Sequence, residues 1–270
     1  MSKHVAVLAA MILCVIAAGS HAQNEPADAA KEAQNPLAKV ISLPFQNNTD
    51  FGIGTYDKTG NVLNIQPILP KLLGDGGWLL INRFIIPFPK TVPDASTAEG
   101  QSTTGIGDVS YTAWLAPPVT GSFTWGFGAV TIWPTASKDV LGQDKFSIGP
   151  SFVFVYTNPS WLGAAVVANW KSVAGDDAKP DVNTFYLQPI FSYFLPDRWY
   201  ATSAPIILAN WEAESGQKWT IPLGAGIGKM FNAGKLPMDA QVSAYSNVKK
   251  PDGAASWQLR IQLKLIFPTG

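Results

Sequence analysis

From Trp257 to Leu265 the chain alternates without a break. Trp257, Leu259, Ile261, Leu263 and Leu265 are apolar, and Gln258, Arg260, Gln262 and Lys264 lie between them; Ile266 and Phe267 close the run. Successive side chains of a strand point to opposite faces, so this pattern predicts one apolar face and one face carrying two cations. The same period recurs upstream. In 107–116, Asp108, Ser110 and Thr112 oppose Val109, Tyr111, Ala113 and Leu115; in 181–194, Thr184, Tyr186, Gln188 and Ser192 oppose Phe185, Leu187, Phe191 and Tyr193. Apolar segments of about 8 to 14 residues, rich in Val, Ile, Phe, Trp and Tyr, are separated by clusters of Gly, Pro, Asp, Asn and Ser. About twelve strands are predicted, near 39–47, 62–70, 78–88, 105–116, 123–134, 145–156, 161–173, 182–195, 199–211, 218–231, 237–247 and 256–267.

The connections alternate as well. Long polar stretches at 48–61, 90–105, 135–145, 174–181, 212–218 and 249–255 take turns with shorter ones at 71–77, 117–122, 157–160, 196–198 and 232–236. Short turns on one rim and long loops on the other are the habit of outer-membrane barrels. Aromatic residues mark both rims. Trp78, Phe123, Trp161 and Trp199 open strands just after a short turn, while Trp133, Trp170, Trp211, Trp219 and Trp257 fall at the opposite ends. Rings so placed suit the two headgroup layers of a bilayer, and the spacing suits tilted strands.

The expected fold is therefore all-β: a single transmembrane antiparallel β-barrel. A soluble periplasmic sandwich or lipocalin-like barrel is the competing fold. With lipid outside, the polar face must line the lumen, which gives Arg83, Asp108, Asn169, Lys171, Gln188, Arg260, Gln262 and Lys264 as lumen residues. That set reads either as a selectivity constriction or as a network that fills the barrel.

The N-terminus changes the chemistry. Lys3 and His4 precede an apolar run, and Ser20-His21-Ala22 follows it, which reads as a signal peptide over 1–22. Residues 23–38 read as a flexible polar lead and 39–268 as the barrel. Cys14, His4 and His21 all lie before the expected cleavage point, so the exported chain carries neither Cys nor His. That removes disulfides, Cys nucleophiles, Ser-His dyads and imidazole metal sites. A formal net charge of +0 gives no basic field for nucleic acid. No cofactor, metal or catalytic residue is expected. The expected partners are outer-membrane lipid and lipopolysaccharide, the barrel assembly machinery and an unidentified small-molecule solute.

Several stretches, "NPLAKVISLPFQNN", "VLNIQPILP", "AGDDAKPDVN", "YLQPIFSYFLPDRWYATSAPII", "NWEAESGQKWTIPLGAGIGK" and "WQLRIQLKLIFP", resemble bacterial proteins labelled "neuromedin U" or "transporter". Those are similar to outer-membrane barrels linked with phenol meta-pathway degradation. The resemblance runs over roughly residues 35 to 268 and implies a transport role, with no catalytic motif to carry over. One departure is that Phe267 stands three residues before the last one given, where many barrels end on an aromatic.

Other motifs weigh less. "PLGAGIGKM" (222–230) fails as a phosphate loop, since Leu223 and Met230 replace the required Gly and hydroxyl. Its glycines predict a smooth inner face or a bend. Asp176, Asp177, Asp181, Glu212 and Glu214 fall on long loops and read as solvated carboxylates or a divalent-cation site. A Gln-Pro-Ile element repeats at 66–68 and 188–190, predicting bulges or a locally open wall that would let an apolar solute slip into lipid. The function expected is passive passage of small, apolar or aromatic molecules. A structural or adhesive barrel and a lipid-acting enzyme without histidine are the alternatives.

Overall fold

The computed structural model describes residues 31–267. The expected signal peptide, the first part of the polar lead and residues 268–270 lie outside the described residues. The wall is built from β1 (Ile41–Ile53), β2 (Lys58–Ile65), β3 (Ile68–Leu73), β4 (Trp78–Pro93), β5 (Ser102–Gly105), β6 (Val109–Ala116), β7 (Phe123–Trp133) and β8 (Lys145–Thr157). It continues through β9 (Trp161–Gly175), β10 (Asn183–Phe194), β11 (Trp199–Ser203), β12 (Ile207–Asn210), β13 (Trp219–Ala233), β14 (Leu236–Lys249) and β15 (Trp257–Phe267). Every neighbouring pair is antiparallel, and β2 with β3, β5 with β6 and β11 with β12 are halves of single wall strands. The result is a closed antiparallel barrel of twelve strands. Closure is made by β1 on β15, in register from Ile41 opposite Phe267 to Phe51 opposite Trp257. A closed wall leaves no edge, so every ladder can be completed without water.

Turn chemistry sets the rims. The tightest turn, 234–235, places Gly234 at φ 62, a left-handed conformation that costs glycine little. The short connections 74–77, 117–122, 158–160, 195–198 and 234–235 share the rim where β1 starts and β15 ends. That is the periplasmic rim in barrels of this kind. The opposite rim carries 94–101, 134–144, 176–182, 211–218 and 250–256. The first connection departs from the expected alternation: β1 and β2 extend into the stretch taken as a long loop and leave only residues 54–57 as a turn. Asn47, Thr49 and Asn61 explain the extension, because Asn61 hydrogen-bonds across the hairpin to the side chains of Asn47 and Thr49 at 2.8 to 3.1 Å. Polar strand residues had the composition of a loop.

The outside is apolar and largely exposed. Phe123, Trp125, Phe127, Phe152, Phe154, Phe191, Ile227 and Val242 all present their side chains outward. A soluble sandwich or lipocalin would hide such a surface. Among the described residues no helix is long and apolar enough to cross a membrane; strands do so here. The parity can be tested on β15. Ile261→Asp places a carboxylate in hydrocarbon and lowers folding efficiency, at a cost on the order of 1 kcal/mol or more. Gln262→Asp faces inward between Arg260 and Lys264 and leaves heat-modifiable gel mobility as in the parent chain. Equal defects at the two positions would contradict the register.

Candidate functional site

The lumen is not an empty tube. Its periplasmic half is filled by residues that precede β1. Residues 31–34 are helical, and the segment through Val40 lines the cavity inside the barrel. Leu37, 4% exposed, packs with Leu79, Ile81, Trp114, Val153, Val155, Leu162 and Val166. Ala33 packs with Met230 and Ile266. Residues 31–38, expected within a flexible lead, are thus held inside the wall. The physical reason is Leu37, an apolar anchor in a segment whose polar average concealed it.

Polar latches fix the same segment. Gln34 Nε2 donates to Asp239 Oδ2 at 3.2 Å, and Tyr200 Oη donates to Asp239 Oδ1 at 2.7 Å. Lys264 Nζ donates to the Ala33 carbonyl. Asp239 is fully buried, so these donors supply the partners that a carboxylate without water requires. Gly228 makes room for the latch, because a Cβ there would run into the Tyr200 phenol. At Gly228 the missing side chain is thus what lets Tyr200 lie flat against the inner wall.

Above the segment lies a layer of polar and aromatic side chains. Arg260, 4% exposed, donates to Asn48 Oδ1 at 3.1 Å, the Ala204 carbonyl at 2.8 Å and Gln258 Oε1 at 3.2 Å. Its guanidinium lies over the Tyr245 ring, 4.8 Å from the centroid. Arg83 donates to Gln66 Oε1 at 2.8 Å, and its Nε is buried without a partner. Arg83, Gln188, Arg260, Gln262 and Lys264 line one cavity with the N-terminal segment. The apolar side of that cavity is Ile68, Trp114, Val166 and Ile190, and Trp114 Nε1 is satisfied by Ser151 Oγ at 2.9 Å.

Toward the long loops the lumen opens into a vestibule of about 790 Å³. Ile85, Ile132, Trp170, Tyr186 and Leu208 give it an apolar lining, and Asp108, Ser110, Thr184 and Asn210 interrupt that lining. Asp108 faces the lumen, but its carboxylate accepts the backbone N–H groups of Ala136 and Gln143 at 3.1 and 2.7 Å. It positions a loop. At the mouth, Lys179 bonds Asp139 at 3.0 Å and lies 3.3 Å from Asp144. These partners raise the Lys179 pKa above its ordinary value, and Lys179 holds Asp139 below its own. The tie holds across neutral pH, is lost as pH falls through the depressed value of Asp139, and is lost again as pH rises through the raised value of Lys179.

Two parts of β9 correct the sequence reading. Trp170 pairs with Thr184, and Val166 with Gln188, so Trp170 and Val166 share the lumen face. Asn169 and Lys171 consequently point outward, not into the lumen, and Trp170 leaves the girdle for the vestibule. Outside, Asn169 accepts from Trp211 Nε1 at 2.8 Å and donates to Asn183 at 3.1 Å, which satisfies it at the headgroup level. Both faces of 161–171 are rich in small apolar residues, so alternation alone could not choose between them. The other rim aromatics, Trp78, Phe123, Trp133, Trp161, Trp199, Trp211, Trp219 and Trp257, lie on the outer surface; Trp257 stacks on Phe51 at 4.1 Å and Trp199 carries Lys229 at 4.8 Å. Asp176, Asp177, Asp181, Glu212 and Glu214 stand on the outer loops or beside them, and among the described residues no three acidic or metal-binding groups converge. Asp239, Tyr200, Tyr245 and Asn48 escaped the sequence reading, although 239–247 alternates Asp, Gln, Ser, Tyr and Asn against Ala and Val.

The wall is interrupted where prolines meet. Pro189 on β10 faces the break at 204–206, and the β11–β12 pairing with β13 lapses between Thr202 and Leu208, opposite Pro222. Ala204 instead receives Tyr245 Oη on its N–H at 3.1 Å and Arg260 on its carbonyl. The second Gln-Pro-Ile element ends the other way: Pro67 splits β2 from β3, whereas Pro189 stays within an unbroken β10.

No protein-family model matches the chain, and no curated protein matches it. Solved structures do. The COG4313 outer membrane channel from Pseudomonas putida F1 superposes with a TM-score of 0.63 at 16% identity, covering 91% of this chain and 100% of that one. A NanC porin superposes with a TM-score of 0.53 at 8% identity, covering 85% and 100%. Outer membrane phospholipase A from Escherichia coli overlaps less, with a TM-score of 0.44 at 15% identity, covering 90% and 97%. The fold is that of bacterial outer-membrane barrels, and the outer membrane is where such an exterior is stable.

The anchoring of the N-terminal segment is open to test. Leu37→Ala removes its buried anchor, a truncation worth about 2–5 kcal/mol in a packed site. Amide hydrogen exchange over residues 33–40 accelerates more than roughly tenfold while the strand amides keep their protection. Unchanged exchange would show that the segment is held elsewhere.

Proposed function

We propose that the chain is a passive outer-membrane channel for small molecules, closed at its periplasmic end by its own residues 31–40. The observation that carries this reading is the lumen itself. A vestibule of about 790 Å³ lies within the size range of ligand sites and narrows onto a segment held by the Leu37 anchor and by the Gln34 and Lys264 latches. A filler needed only for stability has no reason to leave such a space above it. The amphipathic lining suits solutes with an apolar body, and aromatic compounds fit both the lining and the family that the sequence resembles. Membership of that family is part of the proposal, supported by the stretches quoted above. Outer-membrane lipid and lipopolysaccharide at the aromatic rims, and assembly-machinery recognition near Phe267, belong to it too.

The reading is non-enzymatic. Residues 23–270 contain no histidine and no cysteine, and the buried carboxylate, Asp239, is occupied by Gln34 and Tyr200.

Swelling of proteoliposomes in arabinose tests the channel. The chain lacking residues 23–38 swells vesicles several-fold faster than the full exported chain, and both fold by gel mobility. Absence of swelling with either protein would remove the channel reading.

A further inference from the structure

We propose that the layer beneath the vestibule selects small monocarboxylates with an apolar body, with Arg83 supplying the carboxylate contact and Arg260 the supporting charge. The proposal rests on the channel reading and names its solute class.

The charge is unbalanced where the passage narrows. The ion pairs of Lys145 with Asp181 and of Lys179 with Asp139 and Asp144 lie toward the long loops, and among the described residues no carboxylate lies within ion-pair distance of Arg83 or Arg260. Both guanidiniums line the same cavity, and Tyr186, on the vestibule lining, lies within electrostatic reach of both. The acid that approaches Arg260, Asp50, does so through Gln258, which donates to Asp50 at 2.9 Å and accepts from Arg260 at 3.2 Å. Arg260 is thereby held from three sides by neutral acceptors.

Arg83 differs. It donates to Gln66 and reaches the Tyr186 hydroxyl, and its Nε–H is buried with no acceptor. Buried guanidinium donors ordinarily find partners, and Arg83 lines the cavity with donor capacity left over, so an acceptor that enters there has a guanidinium to bind. A carboxylate satisfies adjacent guanidinium donors in parallel, which a hydroxyl or an amine cannot do. Lys264 is a weaker candidate, because it is engaged by the Ala33 carbonyl and faces Asp239. Trp114, on the strand beside Arg83, lines the same cavity with Val166 and Ile190, so an anion held by Arg83 can lay an apolar body on them. A fully hydrated inorganic anion gains nothing from that wall.

The test compares three ring compounds of one size. Benzoate, benzyl alcohol and benzylammonium are titrated at neutral pH into the purified, detergent-solubilised barrel and followed by calorimetry. Benzoate binds at least about tenfold more tightly than the other two. Arg83→Gln brings benzoate to the level of benzyl alcohol and leaves benzyl alcohol unchanged; Arg83→Lys retains part of the preference. Equal binding of the three compounds, or a benzoate preference that survives Arg83→Gln, overturns the inference. Should Arg83→Gln fail to fold, the three-probe comparison on the parent chain and Arg83→Lys decides alone. A barrel that binds benzoate through Arg83 but swells no vesicles keeps the site and loses the channel. One that passes arabinose without distinguishing the ring compounds does the reverse.

Discussion

A bilayer offers the backbone no hydrogen bonds, and everything else in this protein follows from that constraint. Each strand needs a neighbour on both sides, so the first strand must find the last, and β1 and β15 match over the whole span from Ile41 to Phe51. Closure fixes parity. Once Ile261 and Leu263 face lipid, Arg260, Gln262 and Lys264 have only the lumen to enter, and the polar side chains of β1 and β14 enter it beside them. The proline seam shows the same constraint at its weakest point, where side chains of the lumen take over the bonds that the ladder drops at Ala204.

A twelve-strand wall encloses a space that side chains nearly fill, so the lumen must itself be packed. This chain packs it unevenly. An apolar wall from β4, β6, β8 and β9 meets a polar wall from β1, β14 and β15, and the N-terminal segment lies between them with Leu37 on one side and Gln34 on the other. The segment is an internal ligand: it satisfies Asp239 and Lys264 with contacts a solute could not supply, and it stops short of the vestibule. The binding and the closure proposed above would therefore be separate features of one lumen.

Most of the wall was legible because period two is strict wherever one face must be apolar. The segment 257–267 shows its register in the sequence, and Arg260, Gln262 and Lys264 stand where alternation puts them. Legibility failed where both faces share a composition. In β9 the small residues on each side put Asn169 in the lumen and Trp170 in the girdle, and only pairing with Thr184 and Gln188 reverses the two. It failed also where polar residues form strand, as in the β1–β2 hairpin, and where one leucine outweighs its neighbours. Leu37 sits in a stretch whose average is that of a tail, and its role depends on Trp114, Val153 and Leu162, which are far away in the chain. Gln34, one of the two donors to Asp239, is 205 residues distant, a separation no local pattern reveals.

The central claim is that residues 31–40 close a passage that would otherwise conduct. Residues 23–270 contain no cysteine, so Gln34→Cys with Asp239→Cys gives one thiol pair, which a short bis-methanethiosulfonate joins through reducible bonds across the space the two longer side chains now span. Planar-bilayer conductance of this one protein, measured cross-linked and then reduced, with the cross-link verified by mass, isolates the segment from every other variable. The account predicts low conductance while the segment is tethered and a clear rise after reduction. Conductance that is equal in the two states, with the cross-link shown to form and to break, would contradict it.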